Sequence, residues 1–470
     1  MPPLPEIHEL HPIEIELLGE NLSIKKLGEC MHKSNTLCIE NKIENQHFYV
    51  PDNEQILAVI DKSSVETILK KGIALPAFEK AGPKKKLFFE PGKTTYAIVT
   101  CGGLCPGLNS VIRGIVMLNY FRYGNKVGHG IRYGYAGFIK ENGHEVMPLT
   151  PEFVESIHSH GGTILGSSRG PQDIKKIVDR LVELDVKILY TIGGDGTLRG
   201  ALDIVGEIEK RGLKISVIGI PKTIDNDLNF IDKSFGMETA FSEACVSIYA
   251  AHVEARAAVN GIGIVKVMGR ESGFIAVNAT LATNDANYCL IPEMDFELEG
   301  EKGFLKQLEK RLLERKHAVI VVSEGVGQKY VADPNNPHYD ESGNVKILDF
   351  GLYLKERIEA HLKKNKIPTT VKYLDPSYSI RSRPPTPNDS IFCLQLAQMA
   401  VHAGMSGRTG MLVGIFNGQF THLPMEIVTS KRKKVDLDSQ LWLSVLEMTG
   451  QSASYLNEVN LNPIDSDFKK

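Results

Sequence analysis

From residue 94 onward, short apolar runs alternate with longer stretches of helical period. Runs at residues 94–100, 188–192, 215–220, 262–267, 289–292, 318–323 and 369–374 have the length and β-branched content of buried strands. Helical patterns accompany them at residues 108–121, from Leu198 onward, and at 274–283, 304–316, 352–364 and 390–403. Strands that alternate with helices predict parallel sheets covered on both faces. The alternation restarts after Phe235, which predicts an α/β molecule with two wound sheets facing a shared cleft. A polar stretch at 328–346, rich in Asp, Asn, Pro and Gly, reads as a surface excursion.

Residues 1–93 differ in texture. They are short on glycine and Pro-rich at the start, with strand-like stretches at 11–18 and 46–50 and a helical pattern at 61–71. A basic run at 82–93, punctuated by Pro and Gly, suits a linker. This N-terminal extension is expected either to wrap a neighbouring domain or subunit, or to pack without chemistry of its own.

Polar chemistry collects where the apolar runs end. GGDGT follows one strand at residues 193–197, and PKTIDND follows the next at 221–227. In a parallel sheet, loops at the carboxyl ends of strands share one crevice, where ligands bind. Gly194 and Gly196 let backbone N–H groups approach phosphate oxygens, and the helix that follows favours anions at its start. Asp195 is a hard oxygen ligand suited to Mg²⁺ carried on a polyphosphate. Asp225 and Asp227 lie two residues apart, so in an extended loop they point different ways. One can face a substrate while the other orients a metal or a neighbour. Turn chemistry alone accounts for GGDGT in isolation. With the acidic loop one strand later, the pair reads as a phosphate-handling site.

Composition narrows the class without choosing it. The 470 residues are 42% hydrophobic and 24% charged, with a net charge of −3, as in an ordinary soluble protein of two or three domains. That charge excludes a strongly cationic nucleic-acid binder. Seven cysteines without dense spacing make no disulfide framework and suit a reducing compartment. The start has neither a basic region nor an apolar core, and no apolar run approaches a membrane span. No membrane association and a cytoplasmic location are expected. The fourteen histidines show no ligand spacing.

GGDGT followed by PKTIDND resembles the 6-phosphofructokinases. Four further stretches fit that family in order: GGLCPG at 102–107, LGSSR at 165–169, MGRESG at 268–273 and the segment from Tyr378 to Arg381. Together they cover roughly residues 94–430. The resemblance implies two Rossmann-like wound parallel-sheet domains around an active-site cleft. It places a nucleotide-binding domain at residues 94–236, to which 381–430 return, and a sugar-phosphate-binding domain at 237–380. A C-terminal helical segment is expected at 431–470. The implied activity transfers phosphate from ATP, with Mg²⁺, to the 1-hydroxyl of fructose 6-phosphate.

The resemblance implies a role for each residue. Asp225 would be the general base and Asp227 its support. Asp195 would hold Mg²⁺ beside Gly194, Gly196 and Thr197. Gly102 would offer an N–H to the transferring phosphate, Arg169 would reach phosphoryl oxygens, and Thr223 and Arg270 would steady the transferring group. Lys372, Tyr378 and Arg381 would take the sugar's phosphate, with Met268, Gly269, Arg270 and Glu324 on the sugar. The short bacterial enzymes have arginine and histidine where this chain has Lys372 and Tyr378. They also have an arginine, reaching in from a neighbouring subunit, where it has Asn260-Gly261. These departures match the longer, plant- and kinetoplastid-type ATP-dependent branch related to pyrophosphate-dependent enzymes. A homotetramer with allosteric control is the family's habit.

Three alternatives bear on the same motifs. Lipid and NAD kinases also carry GGDGT, but the loop from Thr223 to Asp227 and the Gly269-Arg270 segment do not belong to their pattern. A non-catalytic regulatory subunit should have lost Asp195, Gly196 or Asp225, and all three are present. A pyrophosphate-dependent enzyme would read GGDDT, with an aspartate where this chain has Gly196. Lys222 is nevertheless the residue of the pyrophosphate type, though a lysine serves either donor as a point charge. Gly196 is expected to decide for ATP, because an aspartate there excludes the α-phosphate by charge and bulk.

Overall fold

The computed structural model describes residues 16–34, 48–333, 337, 339 and 345–457. These form two compact units. The first holds the described residues up to 239 together with 381–433, and the second holds those from 240 to 380 together with 434–457.

A nine-stranded sheet organises the first unit. Its centre is a parallel run in the order Met411–Phe416, Ser216–Pro221, Ile188–Gly193, Tyr96–Thr100 and Gly128–Ile131. All residues of the Tyr96, Ile188 and Ser216 strands are buried, as a sheet covered on both faces requires. Register sets Thr100 against Ile192 and Gly193 against Pro221. The three loops that follow therefore leave from one edge of the sheet.

Antiparallel strands finish both sides. Val146–Pro148 adds to the Gly128 strand, while Gln419–Pro424, Ala77–Lys80 and Gln55–Leu57 extend the other side. The last two strands come from residues 1–93, so the extension is built into the sheet of its own unit. Phe78 carries that attachment, fully buried with its ring 5.1 Å from Phe416. Beside it lies a buried ionic cluster. Arg408 donates to Glu79, to Asp52 at 2.9 Å and to Ser406 at 2.8 Å, while His422 Nδ1 lies 2.9 Å from Glu79. Of the expected strand at 11–18, residues 11–15 lie outside the described residues, and 16 and 17 are helical. Of that at 46–50, residues 48–50 are irregular and the rest lie outside.

The second unit has a four-stranded parallel sheet in the order Tyr288–Leu290, His317–Ser323, Gly261–Val267 and Thr370–Leu374. Helices Phe274–Thr283, Phe304–Arg315 and Phe350–Lys364 accompany it. Helix Gln440–Thr449, started by Ser439 and seated by buried Trp442, belongs to this unit; residues 458–470 lie outside the described set.

Two elements depart from the sequence reading. The helix after the Ile188 strand begins at Asp195, not Leu198. Gly194 ends the extended backbone, its carbonyl accepts from Thr197 and Leu198 at 3.0 Å each, and an aspartate in the first turn complements the helix dipole. The helix Met237–Ala257, the longest among the described residues at 21 residues, had no periodic signature.

Candidate active site

In the first unit, the loop after Tyr96–Thr100 folds onto the loop that carries Arg169. Gly102 has φ +81, a left-handed value that glycine adopts without strain. Its N–H donates to the Ser168 carbonyl at 3.1 Å, and its carbonyl accepts from Ser167 Oγ at 2.5 Å. The N–H that the motif assigns to a phosphate here holds the two loops together. Arg169 is exposed, with Nη2 3.6 Å from where a Cβ on Gly103 would stand.

Lys222 lies behind this loop. It is 6% exposed, and its Nζ donates to the Gly103 carbonyl at 2.6 Å. Burial lowers its pKa, and nearby Arg169 adds to that against raising interactions from Cys105, Cys101 and Asp227. Its backbone N–H also bonds Gly193 at 3.0 Å. One residue, by its side chain and its backbone N–H, therefore ties both glycine loops to the acidic strand end.

At the start of the Asp195 helix, Gly193 is needed for space. A Cβ there would stand 2.2 Å from Thr197 Oγ1. Thr197 itself is buried, with its carbonyl accepting from Tyr135 at 2.8 Å. Its side chain packs against Gly193. Gly196 faces open space, with nothing within 4 Å of a Cβ placed on it. Asp195 stands beside it with a side chain 20% exposed.

The acidic loop is a tight turn and not the extended segment that the sequence suggested. Asn226 adopts φ +54 and is 3% exposed. Its Oδ1 accepts from the Ser234 N–H at 2.8 Å and its Nδ2 donates to the Asp232 carbonyl at 3.2 Å. Thr223 Oγ1 accepts from the Asp225 N–H at 3.2 Å and donates to Asp227 Oδ1 at 2.6 Å. Arg432 Nη1 lies 3.4 Å from Asp227 Oδ2, and the Lys433 N–H donates to the Asp227 carbonyl at 2.9 Å. Asp227 is thereby fixed from two sides, and Asp225 is left half-buried at the turn.

A single carboxylate at a helix start, with open space beside it, fits a magnesium ion that arrives on a polyphosphate. Such ions take one or two carboxylates and complete their shell with phosphate oxygens and water. Among the described residues no group of three or more His, Cys, Asp or Glu could hold a metal without that help.

In the second unit, Met268 to Arg270 and Glu324 follow neighbouring strands. Glu324 donates its N–H to Val267 at 2.9 Å, and Gly325 to Gly269 at 3.2 Å. Gly269 has φ +123, and a Cβ there would meet the Ser272 carbonyl at 2.5 Å. Arg270 donates to the Val345 carbonyl. Tyr378 is 78% exposed. Lys372 is not with them. It stands opposite Gly263, five residues short of Met268, or about 16 Å along a strand. Arg381, the penultimate residue of the short helix Ser377–Ser382, is the first residue of the chain's return to the first unit.

Sequence reasoning missed Arg199, Asn226 and Arg432. Arg199 was findable, because it stands four residues after Asp195 on a helix. Arg432 gave no local signal, being 205 residues from Asp227.

Comparison with known proteins agrees with these motifs. The phosphofructokinase family model matches residues 95–404. The chain is 45% identical over 447 residues to the ATP-dependent 6-phosphofructokinase of Borreliella burgdorferi, covering 93% of this chain and 99% of that one. It is 47% identical to the Trypanosoma brucei brucei enzyme of the same name over 79% of this chain and 76% of that one. ATP-dependent 6-phosphofructokinase 7 of Arabidopsis thaliana is 48% identical over 80% of this chain and 77% of that one. Among solved structures, a pyrophosphate-dependent phosphofructokinase from Marinobacter aquaeolei superposes with a TM-score of 0.62 at 19% identity, over 75% of this chain and 91% of that one. That likeness speaks for the fold alone. No helix among the described residues is long and apolar enough to cross a membrane. The chain belongs to the phosphofructokinase family.

Proposed function

We propose that this chain phosphorylates D-fructose 6-phosphate on its 1-hydroxyl with ATP, giving fructose 1,6-bisphosphate and ADP in glycolysis. The observation that carries the reading is the pair of motifs around Asp195 and Asp225, intact in a chain 45–48% identical to proteins named ATP-dependent 6-phosphofructokinase. Intact carboxylates also argue against a regulatory subunit.

Phosphoryl transfer asks for positioning and charge stabilisation more than covalent chemistry. The sugar's O1 attacks the γ-phosphorus, the bond to the β–γ bridging oxygen breaks, and the hydroxyl proton passes to Asp225. Thr223 and Asn226 hold the backbone on which Asp225 is presented. Asp227, braced by Thr223 and Arg432, keeps that turn in shape. Arg169 meets phosphoryl oxygens from the loop that Gly102 and Lys222 secure. Mg²⁺, when bound at Asp195, supplies neutralising charge to the donor's phosphates. Arg270, Glu324, Tyr378 and Arg381 are assigned to the sugar phosphate. Lys372 is placed away from the Met268 end of its own chain.

Donor choice turns on Gly196. The open space beside it admits a nucleotide's α-phosphate, where an aspartate would repel it. Lys222 favours pyrophosphate by type, yet its ammonium is directed at the Gly103 carbonyl, where it shapes a loop for either donor. We further propose a cytoplasmic homotetramer. Purified protein assayed with fructose 6-phosphate, Mg²⁺ and either donor tests the reading. ATP should support turnover and pyrophosphate little, whereas faster turnover with pyrophosphate would make Lys222 the better guide.

A further inference from the structure

Asp195 already has a cation. Arg199 Nε donates to its two oxygens at 3.2 and 3.1 Å. An ion pair at this spacing is common on helices and ordinarily worth little. This one is held from behind. Arg199 Nη2 donates to the Thr429 carbonyl at 2.6 Å, a partner 230 residues away. The guanidinium is therefore tethered at both ends, although its side chain is 58% exposed. The segment that tethers it grips the other acidic loop too, through Arg432 and the Lys433 N–H on Asp227.

We infer that Arg199 is a positioning residue that acts as a built-in counter-ion at Asp195 and competes there with the divalent cation. The inference rests on the reading that Asp195 holds Mg²⁺. Magnesium binds carboxylate oxygen at about 2.0–2.1 Å and tolerates little distortion. Its two charges then lie close to the guanidinium, at oxygens that Nε already shares. Either Arg199 withdraws and loses Thr429, or it stays and weakens the metal. Both routes set the metal requirement higher than Asp195 alone would set it. Between turnovers the same contact keeps the carboxylate in one orientation, ready for the next metal–nucleotide.

The test uses the full chain with Mn²⁺ as the probe, free Mn²⁺ being read by electron paramagnetic resonance at fixed ADP. Arg199→Ala should bind Mn²⁺ about two- to fivefold more tightly, the range to which the net worth of an exposed ion pair converts. The free Mg²⁺ concentration giving half-maximal activity should fall by a similar factor. Asp195→Asn should weaken Mn²⁺ binding, and adding Arg199→Ala to it should change nothing further. Unchanged or weaker Mn²⁺ binding in Arg199→Ala, with Asp195→Asn still impaired, would overturn the inference and leave Asp195 as the metal residue. Undiminished Mn²⁺ binding in Asp195→Asn would remove the metal reading and the inference together.

Discussion

Asp225 and Asp227 are separated by one residue and given different work by it. A left-handed Asn226 is sparsely populated backbone that its buried hydrogen bonds hold in place. Asp227 is bonded to Thr223 and Arg432, and the proposed mechanism gives the hydroxyl proton to Asp225. Asp225→Asn should lower kcat by about 10²-fold or more, the low end for loss of a general base, with sugar phosphate affinity little changed. Near-normal turnover would refute the assignment. Gly196 offers a second single-residue test. An added aspartate would enter open space in the first turn of a helix, where a negative charge is tolerated. Gly196→Asp should therefore melt like the parent protein and lose most ATP-dependent activity. Retained ATP turnover in a folded Gly196→Asp protein would show that the position does not select the donor.

Elements differ in how much they disclosed. Most buried parallel strands announced themselves, because a run such as Ile188–Gly193 carries its burial in every residue, although Gly128–Ile131 and Met411–Phe416 went unread. The helix Met237–Ala257 did not. Its inward positions are Ala240, Ala244, Ile248, Ala251 and Ala255, while Val246, Tyr249 and Val253 face out. Small residues inside and large ones outside cancel the periodic signal. The loop carboxylates were legible because Asp195, Asp225 and Asp227 stand in dense local motifs, whereas their arginine partners depend on the fold or on one overlooked turn of helix. The strands of the extension were illegible for another reason. Gln55–Leu57 is three residues long, and Ala77–Lys80 is secured by Glu79, a charge that pattern reading assigns to the surface.

That cluster makes the sheet acid-sensitive. Burial, reinforced by Arg408 and Lys84, lowers His422 to about 4 despite the bond and charge of Glu79. His402, buried against Tyr123, is likewise lowered to about 4. Burial would raise Glu79, but the bond and charge of His422 and the charge and bond of Arg408 outweigh it and hold it at about 2. As pH falls below about 6.5, the unfolded chain takes up protons that the folded histidines refuse until about 4, so stability falls across that window. Glu79 adds a further loss between about 4.5 and 2. Melting temperature should decline from pH 6.5 to 4, and His422→Gln should make that slope shallower without abolishing it, since burial also lowers His402, His129 and His317. A slope unchanged by the substitution would exclude His422 as a cause.

At the scale of the whole molecule, the first unit is collected from distant parts of the chain. The polypeptide leaves it at residue 239, builds the second unit, and returns at 381 to supply the Met411 and Gln419 strands. Glu79 meets Arg408 and His422 across 329 and 343 residues of sequence. During synthesis the extension's carboxylate therefore waits for partners that do not yet exist. At about 5–20 residues per second, that wait is roughly 20–70 s. The strands Gln55–Leu57 and Ala77–Lys80 can pair with each other, but among the described residues they join the nine-stranded sheet through the Gln419 strand, which emerges late. Ribosome-bound chains stalled before residue 411 should be cleaved readily by protease within residues 48–93, and chains extended well past residue 433 should be protected there. The second unit is also completed late, because its helix Gln440–Thr449 is made after residue 433. Residues 48–93, made before the strands that secure them, would be among the last to be locked.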